Sequence, residues 1–163
     1  MAIPASTQTY GERDWRSDAS VAYAIFRLTF GINIAVRGFM RIANGTDNFA
    51  NGLAGQFENT ILPAFSIQLF GNVVPWVESV LGIMIILGLG TRIALILGGL
   101  MMTSLTFGTM LLQNFELAWL QLNYTFAFFA LLAFRAWNLI SLDAMRGNVP
   151  SAAATDTRAS ARV

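Results

Sequence analysis

The sequence predicts an all-α membrane protein, a four-transmembrane-helix bundle with an amphipathic helical segment between helices one and two. Three observations predict it. Of the 163 residues, 55% are apolar and only 12% charged, with a mean hydropathy of +0.57, whereas a soluble domain carries about 25% charged residues. Four apolar runs each approach the roughly 20 helical residues that cross a hydrocarbon core of about 30 Å. The runs are continuous rather than alternating, so they read as helices and not as strands of a barrel.

The N-terminal segment, residues 1–18, is polar and lacks an apolar core. It does not read as a cleavable signal, and the run after it is expected to act as an uncleaved anchor. The membrane domain is expected over 19–146. Its first run covers Ala19 to Ala43, its second Val73 to Leu89, its third Arg92 to Gln113 and its fourth Ala118 to Leu142. "GLGTR" between the second and third runs makes an antiparallel hairpin, and "NFELA" joins the third to the fourth as briefly. Residues 44–72 form a longer outer segment. Its Asn-Gly and Gly-Thr-Asp steps read as a turn. The apolar residues that follow read as one or two interfacial helices broken at Pro63. Phe49, Phe57, Leu62, Phe65 and Phe70 are expected against lipid or bundle. The tail, 147–163, is rich in Ala, Ser and Thr and reads as disordered and cytoplasmic.

Arginine counts orient the bundle. Arg13, Arg16, Arg92, Arg146, Arg158 and Arg162 lie on the side of both termini, while the opposite side has Arg41 with Asp47, Glu58 and Glu116. The positive-inside rule therefore places both termini in the cytoplasm and the 44–72 segment outside; the bacterial cytoplasmic membrane is the expected location. Trp15, Tyr23, Trp76, Trp119, Tyr124 and Trp137 fall where interfacial belts are expected.

Composition also narrows the chemistry. All ten basic residues are Arg, and there is no Cys and no His. Disulfides, thiol chemistry, Fe–S ligation and ordinary zinc sites are excluded. A net charge of +1 without a basic patch gives no nucleic-acid partner. No catalytic residue, metal ligand set or covalent cofactor is assigned.

Charged residues inside a membrane helix cost about 2.5–3.5 kcal/mol each at the centre, so each must find a partner or an exit. A rise of about 1.5 Å per residue puts Arg37 on helix one and Glu78 on helix two at similar depth below the outer face, with Asn123 of helix four near them. Arg37 and Glu78 are the expected ion pair, with Arg41 the second choice for the carboxylate. Three readings stay open for Arg37, Arg41, Glu78 and Asn123. They form a buried pair that holds helix register, a polar pocket for a small ligand, quinone head group or lipid, or a proton path. Arg27 lies deeper with no acid at its level. It is expected to snorkel, or to bond carbonyls or the hydroxyls of Thr103 or Ser104, with Asp18, Asp143 or a lipid phosphate at its tip. Gly31, Gly38 and Gly82 occupy helix faces where small residues allow close packing.

"RLTFGINIAVRGFMRI" and "PWVESVLGIMIILGLGTRIALIL" resemble the first helix and second hairpin of the DoxX-like family of small four-helix membrane proteins. The hairpin match rests on Glu78, Gly82, Gly88, Thr91 and Arg92, and "SLD" at Ser141 to Asp143 resembles the end of the family's last helix. The family includes a DoxD-related subunit of thiosulfate:quinone oxidoreductase. Relatives often carry His or another polar residue where Arg37 stands, and Lys where Arg41 stands. The resemblance implies the four-helix fold and partners within larger membrane complexes. Three functions compete: an accessory subunit of an electron-transfer or energy-converting complex, a quinone-interacting oxidoreductase subunit, and a small-solute transporter.

Overall fold

A computed structural model describes residues 14–148. Residues 1–13 and most of the expected tail lie outside the described residues. Among the described residues all regular structure is helical, and four helices are long and apolar enough to cross a membrane. Helix α1 is Asp18–Ala43, α2 Thr46–Gln56, α3 Ala64–Leu87, α4 Thr91–Leu111 and α5 Phe115–Ala133; a 3₁₀ turn at Arg135–Trp137 leads to the short α6, Leu142–Met145. The spanning helices are α1, α3, α4 and α5.

Local chemistry sets most boundaries. Ser17 caps α1 by accepting from the Ser20 N–H, and Asp18 sits in the first turn, where a carboxylate meets the positive end of the helix dipole. Asn114 caps α5 the same way, through the Leu117 N–H. Between α3 and α4, Gly88 and Gly90 both have positive φ, 64° and 56°. That conformation favours glycine and reverses the chain in three residues.

Two helix limits differ from those read off the sequence. Helix α3 starts at Ala64, directly after Pro63, and runs unbroken through Pro75, whereas the sequence placed the second span at Val73. Residues 64–72 contain no stop signal, and the residue after the Pro63 break simply begins the span. The outer segment thus reduces to α2 and the turn after it. The last span ends at Ala133 instead of Leu142, because Arg135, Asn138 and Ser141 turn the chain back onto the α3–α4 loop. Phe57 is buried and Phe49 and Phe70 are partly so, while Phe65 stands exposed.

The bundle is two tightly packed pairs, α1 with α3 and α4 with α5, and α2 folds back on the first half of α3. Glycines bring α1 and α3 into backbone contact. A Cβ on Gly31 would lie 2.9 Å from the Ile86 amide nitrogen, one on Gly82 2.6 Å from the Ala35 Cα, and one on Gly38 2.6 Å from the Pro75 carbonyl oxygen. Similarly, a Cβ on Gly71 would lie 2.7 Å from the Ala50 Cα, which seats α2. Phe30, Ile34, Leu81, Ile85, Leu95, Met102, Phe128 and Leu131 fill the core between the pairs. The Phe30 and Phe128 rings meet edge to face at 4.7 Å, a favoured aromatic geometry.

The α1–α3 contact has no room for a methyl group, so Gly82→Ala should lower the stability of the detergent-solubilised protein by about 1–3 kcal/mol. Gly55→Ala in α2, where a Cβ meets nothing within 4 Å, should be neutral or stabilising by up to about 1 kcal/mol. Unfolding midpoints of the two variants check both outcomes.

Candidate functional site

The register of α1 on α3 decides which charges meet. Residues 31 and 86, 35 and 82, and 38 and 79 lie opposite one another, so Glu78 sits at the level of residue 39. Helical side chains lean toward their own N-terminus. On the antiparallel α1 and α3, arginines therefore lean toward the face bearing both chain ends, and Glu78 leans the other way.

That lean makes Arg41 the partner of Glu78. Its Nη1 donates to Glu78 Oε2 at 2.5 Å, with the carboxylate fully buried and the arginine side chain 28% exposed. The Arg41 guanidinium also lies over the Phe49 ring of α2 at 4.4 Å, so a cation–π contact shields it from the outer face. The Arg37–Glu78 pair expected from depth does not form. Arg37 leans one turn further, stacks on the Tyr124 ring at 4.4 Å and donates to the Tyr124 hydroxyl. That hydroxyl in turn donates to Asn33 Oδ1 at 2.9 Å. Depth alone could not separate two arginines one turn apart; the direction of the side chains does.

Asn123 does not join either group. It is exposed and donates to the Trp119 carbonyl on its own helix at 3.0 Å. The four residues read as one pocket therefore divide: Arg41 with Glu78 at the α1–α3–α2 junction, and Arg37 with Tyr124 and Asn33 at the α1–α5 seam. Glu78 Oε1 is buried with no hydrogen-bond partner among the described residues. Tyr124, expected only as an interfacial aromatic, is thus a partner of Arg37, and Asn33 was not singled out, although it lies four residues before Arg37, on the same helical face. Thr109 donates to Gln121 Oε1 at 2.8 Å, a buried tie across α4 and α5.

A second polar cluster closes the face that bears both chain ends. Arg27 is 3% exposed and donates to the carbonyls of Ile85, Ile86 and Ile140, at 2.6 Å and 2.9 Å for the last two. It thus caps the C-terminus of α3, whose last carbonyls lack partners within the helix. Thr103 and Ser104, expected as its partners, instead donate to carbonyls of their own helix. Asp143 accepts from the Gly90 and Thr91 N–H groups at 2.8 Å and 2.7 Å, capping the N-terminus of α4 from a distant segment. Its own N–H donates to the Gly88 carbonyl at 2.9 Å, and Asn138 reaches Thr91 Oγ1 at 3.1 Å. The "GLGTR" and "SLD" stretches are the two halves of one clasp.

A DoxX family model matches residues 22–113, more than half of the 163 residues. The chain belongs to the DoxX family. No curated protein and no solved structure matches it. The matched span contains Glu78, Arg41 and Arg27 and ends before α5 begins, so Tyr124 and Asp143 lie outside it. Together with the four apolar helices, membership makes this an integral membrane protein. Among the described residues, no group of three or more carboxylates, His or Cys is placed to hold a metal ion.

A double-mutant cycle should find Arg41→Met and Glu78→Gln coupled by roughly 1–3 kcal/mol, while Arg37→Met and Glu78→Gln couple more weakly, since Arg37 acts on the carboxylate only through charge at a distance; unfolding in detergent measures both. Asp143 should show its role through acid. Burial raises its carboxyl, but hydrogen bonds from Thr91 and Gly90 and the nearby Arg135 outweigh that and hold it below its ordinary value. The sign follows: the stabilisation is complete above the usual aspartate range and disappears as pH falls through the lowered folded value. Asp143→Asn should remove that acid dependence and cost roughly 1.5–3 kcal/mol at neutral pH, read from melting curves across the acid range.

Proposed function

We propose that this chain is an accessory membrane subunit that anchors or seals a larger electron-transfer or energy-converting complex in the bacterial cytoplasmic membrane, with both termini in the cytoplasm. The observation that carries the reading is the α1–α5 seam. Arg37 has no acidic partner among the described residues, and Asn33, which accepts from the Tyr124 hydroxyl, is exposed on α1. A cation without a counter-charge beside an exposed amide on a spanning helix is costly. A neighbouring subunit whose transmembrane helix presents a carboxylate removes that cost and gives the seam its partner. The remaining charges support the same reading, because Arg27, Arg41, Glu78 and Asp143 are used in holding the bundle together. The arginine asymmetry of the loops supports the orientation.

A second reading has one observation in its favour. The unpartnered Glu78 Oε1, beside Arg41, would suit a quinone-interacting oxidoreductase subunit in which the head group supplies the missing hydrogen bond. The DoxX-like resemblance, to a family that includes a thiosulfate:quinone oxidoreductase subunit, points the same way. The transporter reading gains nothing from α1, α4 and α5, which are continuous where broken helices are the usual mark of a substrate site.

Extraction from native membranes in mild detergent separates these readings. The accessory reading expects larger membrane subunits bound in fixed stoichiometry, and expects Arg37→Met to release them while Arg92→Gln does not. A chain that elutes alone contradicts it, and one that elutes alone with bound quinone favours the second reading.

A further inference from the structure

On the face that bears both chain ends, an open cavity of about 360 Å³ lies between the start of α4 and the segment after α5. Its rim holds Arg92 and Arg135 with Asp143 and Asn148, and its wall is Ile93 and Ile96. We propose that this cleft binds one anionic phospholipid, with the phosphodiester between Arg92 and Arg135 and an acyl chain along the isoleucines.

The layout follows the membrane normal. Arg92 is the second residue of α4 and Arg135 follows the last residue of α5 by two, so both stand where these spans leave the hydrocarbon. Ile93 and Ile96 lie further along α4 into the membrane, and both are exposed. A positive rim above an apolar wall fits an amphiphile with an anionic head.

The charges in the cleft are also unevenly committed. Both Asp143 oxygens accept backbone N–H bonds, so its charge serves the α4 terminus. Arg92 makes no ion pair or hydrogen bond among the described residues, and Arg135 has a single long contact, 3.4 Å to the Asn148 carbonyl. Two guanidiniums against one internally satisfied carboxylate leave a net positive site. Guanidinium matches phosphate oxygens bidentately, which favours a phosphate head over a zwitterion with its own cation. This site is separate from the α1–α5 seam and from Glu78, and stands whether or not the chain is an accessory subunit.

Native mass spectrometry of the full chain, released from detergent in the presence of phosphatidylglycerol or phosphatidylcholine, tests the proposal. The wild-type chain should retain one phosphatidylglycerol in at least about tenfold preference, since each arginine near a membrane surface contributes roughly fivefold. Arg92→Gln with Arg135→Gln should bring the preference close to one, and Arg146→Gln, on the same face but outside the cleft, should leave it unchanged. Circular dichroism of each variant confirms that helix content is kept. Equal retention of the two lipids, a preference that survives the double substitution, or displacement of the lipid by millimolar inorganic phosphate would each overturn the proposal.

Discussion

The backbone contact between α1 and α3 governs the rest of the molecule. Lipid gives two apolar helices little reason to associate through greasy side chains, because their contacts with acyl chains are about as good. Glycine changes that balance by letting main chains approach and by multiplying short-range contacts. Gly31, Gly38 and Gly82 do so at three successive levels, and three such contacts leave one register. With the register set, each polar side chain has a determined reach. Arg41 meets Glu78, Arg37 meets Tyr124, and Arg27 arrives at the open carbonyls of α3.

Those polar contacts in turn make the fold specific. A charge that found no partner in the bundle would oppose insertion, so Glu78 and Arg41 discriminate against any slip of one helix along the other. At the opposite face the discrimination is by hydrogen bonds to backbone. The α3–α4 turn exposes carbonyls on one side and N–H groups on the other, and the protein answers each with a buried charge of the right sign: Arg27 for the carbonyls, Asp143 for the N–H groups. The segment after α5 is thereby pinned beneath the hairpin, which helps tie the α4–α5 pair to the α1–α3 pair.

Much of this was legible in the sequence, for physical reasons that also mark where legibility ends. Continuous apolar runs and the short Gly-rich turn led directly to four spans and to the hairpin between the second and third. The start of α3 differs because residues 64–72 read as part of the outer interfacial segment, whereas nothing in them stops the helix that begins after Pro63, and Pro75 within it is tolerated. The pairing of Glu78 was assigned to Arg37 because depth was taken from Cα positions, and a four-carbon reach along the helix outweighs a turn of depth. Asn123 was drawn into the site by depth alone, but it is exposed and bonds only the Trp119 carbonyl of its own helix. Asp143 was legible as a possible contact for Arg27 and as part of the "SLD" stretch; its bonds to Gly90 and Thr91 depend on a turn-back after Ala133 that no hydrophobic pattern encodes.

The claim that register selects Arg41 over Arg37 can be tested directly in bilayers. Rotational-echo double-resonance NMR on the chain labelled with ¹³C at glutamate carboxyls and ¹⁵N at arginine guanidiniums reports which guanidinium touches the buried carboxylate, its signal assigned by its loss in Glu78→Gln. Strong dephasing that disappears in Arg41→Met and persists in Arg37→Met is the predicted result. Dephasing that persists in Arg41→Met and disappears in Arg37→Met would contradict the account, because α1 and α3 would then be packed in a different register.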